Sequence, residues 1–202
     1  SNSGMDAWLY GYEVDEIDSS ESDLWDGLVA LWHFNNDSGV GESDTHVYDW
    51  SKNGNNGTIM DHESGSLDIT YQDGKFGNSL QFVEDKDYVR IESSNTIDNL
   101  SISTYSIWFK KDTVSSSYLF SKGNGSDNTQ RSIIIGSDNR IYASLNTNGV
   151  YRRSVSTQTI TIDKWHHVVG ILNKSTSGVN RIFLDGKEVQ YDSQEIGTGT
   201  FM

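Results

Sequence analysis

The chain contains no cysteine among its 202 residues. That excludes a disulfide framework, thiolate metal sites and a cysteine nucleophile. Proline is absent too, where about 5% is usual, and nothing in the sequence supplies a physical reason. No apolar run approaches the roughly 18 residues of a membrane-spanning helix. Basic residues are few, 15 against 29 acidic ones, which gives a formal charge of −14. Such a field repels phosphate backbones and disfavours nucleic acid as a partner. It suits divalent cations and a surface or high-salt setting. No basic segment followed by an apolar stretch opens the chain, so a secretory signal is expected to have been removed already.

What is present is a set of short β-rich runs separated by Gly, Asn, Asp and Ser clusters. The clearest are Leu28–Phe34, Ser79–Phe82, Tyr88–Glu92, Thr104–Lys111, Tyr118–Ser121, Ser132–Ile135, Arg140–Leu145, Val150–Val155, Trp165–Asn173 and Asn180–Asp185. None has a 3.6-residue apolar period. About ten such strands predict an all-β, two-sheet antiparallel jelly-roll sandwich. A chain of this length buries about 70% of its unfolded surface and needs no staple. In Thr104–Lys111, Tyr105, Ile107 and Phe109 share one face. Trp165–Leu172 is apolar on both faces apart from His166, His167 and Gly170, which predicts a central strand. Asp185-Gly186 between two short runs predicts a hairpin turn, since glycine accepts positive φ. Asp138-Asn139 and Asn148-Gly149 read as further turns. Residues 1–26 are polar and acidic and read as a leader or the end of a preceding domain, with one strand near Leu9–Val14. The main domain is expected over 27–202, with polar surface loops at 35–57 and 122–131.

Four segments carry a family resemblance. They are GLVALWHFN at 27–35 with VYDWSKNGNNGTI at 47–59; GKFGNSLQF at 74–82 with DYVRI at 87–91; STYSIWFKKD at 103–112; and DKWHHVVGILN at 163–173 with RIFLDGKEV at 181–189. In this order they resemble the bacterial and archaeal laminin-G-like, concanavalin A-like domains. The resemblance implies a non-catalytic, extracellular or cell-surface binding and adhesion module, with a glycan or a cell-surface protein as partner. Domains of this kind usually close with one or two further strands that are not evident before Met202. A truncated chain, or a strand supplied by the leader or by another chain, would account for that. An unfilled strand position would leave an open sheet edge for self-assembly into a filament.

Candidate chemistry is sparse. Glu16-Ile17-Asp18-Ser19-Ser20-Glu21 looks like the paired-carboxylate signature of glycoside hydrolases on this fold, with Glu16 and Glu21 as the pair. It lies in the polar leader, and Ser19 and Ser20 stand where a strand would want apolar residues, so an acidic linker is the expectation. His166 and His167 alternate to opposite faces and cannot bind one metal together; one is expected near the core and the other on the far surface. The loops Asn35–Gly39 and Asp49–Gly57 are rich in the oxygens that a hard cation gathers, six to eight at a time. The resemblance implies a structural calcium ion with Asp37 and Asp49 as side-chain ligands and backbone oxygens near Gly39 and Gly57. The alternative is that both aspartates cap turn amides. Tyr142, Tyr151, Arg152, Arg153, Trp108 and Tyr118 are candidates for a sugar platform or for plain sheet packing, and they single out no definite ligand residue. N-x-[ST] acceptors stand at Asn36, Asn56, Asn99, Asn124 and Asn173, compatible with glycosylation of an exported protein.

Overall fold

A computed structural model describes residues 26–60, 69–83, 87–98, 100–123, 129–175 and 177–195. The leader, with Glu16, Glu21 and the strand expected near Leu9–Val14, lies outside the described residues, as do Asn99 and Asn124. The described residues form strands and turns and no helix, and every strand pair is antiparallel. The chain divides after Ser94 into two compact units.

The first unit holds β1 (His46–Val47), β2 (Gly57–Met60), β3 (Thr70–Asp73), β4 (Asn78–Gln81) and β5 (Tyr88–Ile91). β1, β2 and β5 make a three-stranded sheet, and β3 pairs with β4. Its core is small: Val47, Ile59 and Ile69, with Trp32, Phe34, Tyr71, Leu80 and Val89 against them. Gly57 has to be glycine, because a Cβ there would sit 2.5–2.7 Å from Val47, Val89 and Ile91. Leu28–Phe34, expected as a strand, joins no ladder. The Leu31 carbonyl accepts the Trp50 N–H at 2.8 Å, and other backbone groups are taken by side chains. Asp49 Oδ1 accepts the Leu31 N–H at 3.0 Å, and Asn53 and Asn55 donate to the carbonyls of Leu28 and Val29 at 2.8 Å.

The second unit holds β6 (Ile102–Lys110), β7 (Ser117–Lys122), β8 (Thr129–Ile135), β9 (Arg140–Thr147), β10 (Val150–Thr159), β11 (Trp165–Asn173), β12 (Arg181–Leu184), β13 (Lys187–Glu188) and β14 (Tyr191–Gln194). A five-stranded sheet runs in the order β14-β10-β9-β8-β7 and a four-stranded sheet in the order β13-β12-β11-β6. Their inner faces meet in one core. Ile133, Ile135, Ile141 and Ala143 come from the first sheet, and Phe109, Val168, Leu172 and Ile182 from the second. Each buried aliphatic side chain contributes about 1.5–3 kcal/mol. Tyr105, Ile107 and Phe109 all turn inward, as alternation requires. β11 is interior to its sheet, with its inward side buried and its outward side half-buried. Asp185 and Gly186 take φ of 50° and 81°, Asn148 and Gly149 take 49° and 82°, and Asn139 takes 59°, so the three expected turns form.

Along the inner face of the five-stranded sheet the core changes character. Thr129, Arg131, Thr147, Arg152 and Ser154 are buried there, together with Asn180. Arg131 donates to the Leu100 carbonyl at 2.7 Å, and Asn180 donates to the Ala143 and Arg152 carbonyls at 3.1 and 3.3 Å. Arg131 and Asn180 are tolerated there because they are hydrogen-bonded to backbone. The edge strand β7 carries a bulge between Tyr118 and Phe120, with Leu119 as the extra residue. Tyr118 therefore faces solvent while Leu119 and Phe120 pack on the core.

Candidate functional site

The outer face of the five-stranded sheet is built from cross-strand rows. One row is Tyr118–Ile134–Tyr142 on β7, β8 and β9. The next is Ser121–Ser132–Ser144–Arg153, reaching β10. The third is Gln130–Asn146–Tyr151. Rows lie two residues apart along each strand, about 7 Å, and strands are spaced about 4.8 Å. The result is a lane of serine hydroxyls crossing three strands and closed on the fourth by Arg153, with tyrosines on both flanks. A depression of about 160 Å³ opens on this face, lined by Tyr118, Gln130, Ser132, Ile134, Ser144, Asn146 and Tyr151. Tyr118 and Tyr151 are 66% and 48% exposed, the exposure expected of rings that can accept a stacking partner.

Polar contacts fix the rings. Tyr151 OH donates to Ser144 Oγ at 3.2 Å. Tyr142 OH donates to Asp138 Oδ2 at 2.8 Å. That bond, helped by burial, raises the Tyr142 phenol above its usual value. The Arg153 guanidinium lies 5.5 Å from the Tyr142 ring centroid and 5.9 Å from that of Tyr151, within cation–π range.

Of the six residues considered for a platform, the structure brings together Tyr118, Tyr142, Tyr151 and Arg153. Arg152 points the other way: it pairs in register with Leu145 and is fully buried. Burial lowers its pKa from the ordinary arginine value. Trp108 lies on the outer face of the four-stranded sheet, 43% exposed, stacked on His167 with centroids 5.0 Å apart.

The histidines divide as alternation dictates. His166 turns inward, and its Nδ1 is 2.8 Å from Asp185 Oδ2. His167 turns outward, with Nε2 2.8 Å from Ser106 Oγ, and burial lowers its pKa despite the opposing charge of Asp185. Asp185 also accepts the His167 N–H at 2.9 Å, so one carboxylate ties the 185–186 hairpin to β11.

The four residues named for calcium fall in the first unit, where the fit to a cation can be tested on Asp49. Its side chain is 1% exposed. Oδ1 accepts the N–H groups of Leu31 and Ser51 at 3.0 and 2.9 Å. Oδ2 accepts the Ser51 hydroxyl and the Asn55 N–H, both at 2.8 Å. A carboxylate has about four lone-pair sites, and all are directed at donors. This is the geometry of a turn hub, and the donor set does not fit a cation. Asp37 is exposed, its Oδ1 accepting the Gly39 N–H at 2.8 Å in an Asx-turn. Gly57 packs against the Val47, Val89 and Ile91 side chains. No cluster of three or more His, Cys, Asp or Glu suited to a metal occurs among the described residues. Sequence reasoning missed Glu42, which is 2% exposed and accepts the N–H groups of Asp37 and Tyr48 at 2.9 and 3.3 Å. Burial, with Glu42 and Asp44 adding to it, pushes the Tyr71 phenol up to about 12.

Of the glycosylation acceptors, Asn36 and Asn56 are exposed. Asn173 is half-buried in β11, and its Oδ1 accepts the Ser175 N–H at 3.0 Å.

Residues 83–200 match the family model Laminin_G_3, the concanavalin A-like lectin/glucanases superfamily. The chain belongs to this family. The match spans most of the second unit, so the five-stranded and four-stranded sheets are those of the laminin-G-like sandwich. A crystal structure of residues 221–444 of an S-layer domain-containing protein from Clostridium thermocellum ATCC 27405 is similar in fold. Its TM-score is 0.52 at 21% identity, over 81% of this chain and 71% of that one. No curated protein matches the laminin-G-like chain by sequence.

Proposed function

We propose that this laminin-G-like chain is a non-catalytic module of a cell-surface or secreted protein and binds glycan on the outer face of its five-stranded sheet. The observation that carries the reading is the serine lane flanked by Tyr118, Tyr142 and Tyr151. Hydroxyl and amide side chains on its floor match sugar hydroxyls, and exposed rings match the apolar faces of pyranoses. The residues lining the depression include no carboxylate, whereas glycoside hydrolysis uses a carboxyl pair. The similarity to an S-layer domain-containing protein is consistent with a surface setting.

Self-assembly through the β7 edge is less favoured. The bulge distorts the ladder there, and Lys122 at its end points inward to Asp98, 3.0 Å away. Bulges and inward charges are devices that discourage edge pairing. The test is a glycan array followed by titration of hits against Tyr118→Ala, Tyr151→Ala and Trp108→Ala. Loss of about tenfold in affinity for each tyrosine variant, with Trp108→Ala unchanged, is expected. Loss confined to Trp108→Ala would move the site to the other sheet and defeat the reading.

A further inference from the structure

The arginines of the second unit that reach the surface are not alike. Arg140 is 3.0 Å from Asp192 and 3.8 Å from Asp138, and Arg181 is 2.6 Å from Glu188. Arg90 of the first unit is likewise 2.9 Å from Glu92. Arg153 has no carboxylate within ion-pairing distance among the described residues, although the chain carries 29 acidic residues. Its Nε is buried and has no hydrogen-bond partner among them. Just past the end of β14 is Glu195, whose N–H donates to the Arg153 carbonyl at 2.9 Å. Glu195 is exposed and forms no ion pair with the guanidinium. Arg153 closes the serine lane at β10, held between the rings of Tyr142 and Tyr151. A fixed, planar fork of donors at the end of a polar groove is the arrangement that recognises an oxyanion bidentately.

We infer that the groove takes an acidic glycan, and that Arg153 receives the carboxylate or sulfate group of one of its sugars. This inference rests on the glycan-binding reading of the same face. The net charge of −14 repels an anionic chain in general, so recognition has to come from one local cation rather than from the overall field. Rings on both flanks orient the sugar, and the guanidinium selects for the charged substituent.

The experiment is calorimetric titration of the full chain with three oligosaccharide sets of matched length: neutral, uronate-containing and sulfated. Variants are Arg153→Gln, Arg153→Lys and Tyr151→Ala, with melting temperature as a folding control. At least one acidic set is expected to bind about ten- to hundredfold tighter than the neutral set, the range of a charge-assisted hydrogen bond. Arg153→Gln should abolish that preference while leaving residual affinity equal to that for the neutral set, and Arg153→Lys should keep part of it. Comparison of the uronate and sulfated sets identifies which oxyanion is preferred. Equal binding of neutral and acidic sets, or an unchanged preference in Arg153→Gln, overturns the inference while the glycan reading survives. Loss of all binding in Tyr151→Ala alongside an unaffected Arg153→Gln has the same meaning. Failure of every set to bind overturns both.

Discussion

The two units of this chain are held together by different means. In the first, a core of three buried aliphatic residues is supplemented by Asp49, Glu42 and Asn55, buried side chains that capture backbone groups of otherwise unpaired segments. In the second, long ladders supply the backbone bonds and ten buried residues form a continuous core. Where strands are too short to satisfy their neighbours, carboxylates and amides take over the ladder's task. The consequence is that a single polar substitution should damage the first unit as much as a cavity damages the second.

Four measurements break or sharpen that contrast. Ile133→Ala empties the centre of the second core and is expected to cost about 4 kcal/mol in chemical denaturation. Asp49→Ala removes four hydrogen bonds and leaves buried N–H groups without an acceptor; about 3 kcal/mol is expected. Hydrogen exchange should place the loss in residues 28–57, and a cost below about 1 kcal/mol would refute the hub role.

Acid is the third probe. Burial alone would raise Asp185, but bonds from the His167 N–H and from His166 hold its carboxyl below the usual value. Asp138 is held low in the same way by Tyr142 and the Arg140 N–H, against the effect of burial. Glu188, bonded chiefly by Arg181, is pulled down to about 2. Each such group is more acidic folded than unfolded. Its contribution is therefore present above the unfolded value and lost as pH falls through the folded one. The melting temperature should fall from about pH 4 towards pH 2, and Asp185→Asn should flatten that fall; an unchanged slope would show that the clamp carries no stability.

The smallest effect is expected from a chelator. With the Asp49 oxygens directed at donors, removing divalent ions should leave the melting temperature where it was. A drop of several degrees would reinstate calcium at Asp37 and Asp49.

The sequence was most legible where alternation had apolar residues to mark it. Trp165–Asn173 could be read directly because it is apolar on both faces, and the inward set Tyr105, Ile107 and Phe109 because one face is oily and a one-residue shift would expose it. Leu28–Phe34 has the same pattern and is no strand, because its partners are Asp49, Asn53 and Asn55, some twenty residues downstream. β10 was ambiguous for the opposite reason. Its inward positions are Arg152, Ser154 and Ser156, so nothing in Arg152-Arg153 says which guanidinium faces the core. The tyrosine-flanked lane depends on the register of four strands, which no single segment records.

Leu119 is the extra residue that lets Tyr118 look outward while Phe120 stacks inward on Tyr105, ring centroids 3.9 Å apart. Straighten that bulge with the leucine kept and strict two-residue periodicity would send both rings to one side: either the groove loses a wall or the core loses an aromatic. A relative could thus keep the whole sandwich and yet lose the Tyr118 wall through a one-residue slip of its edge strand.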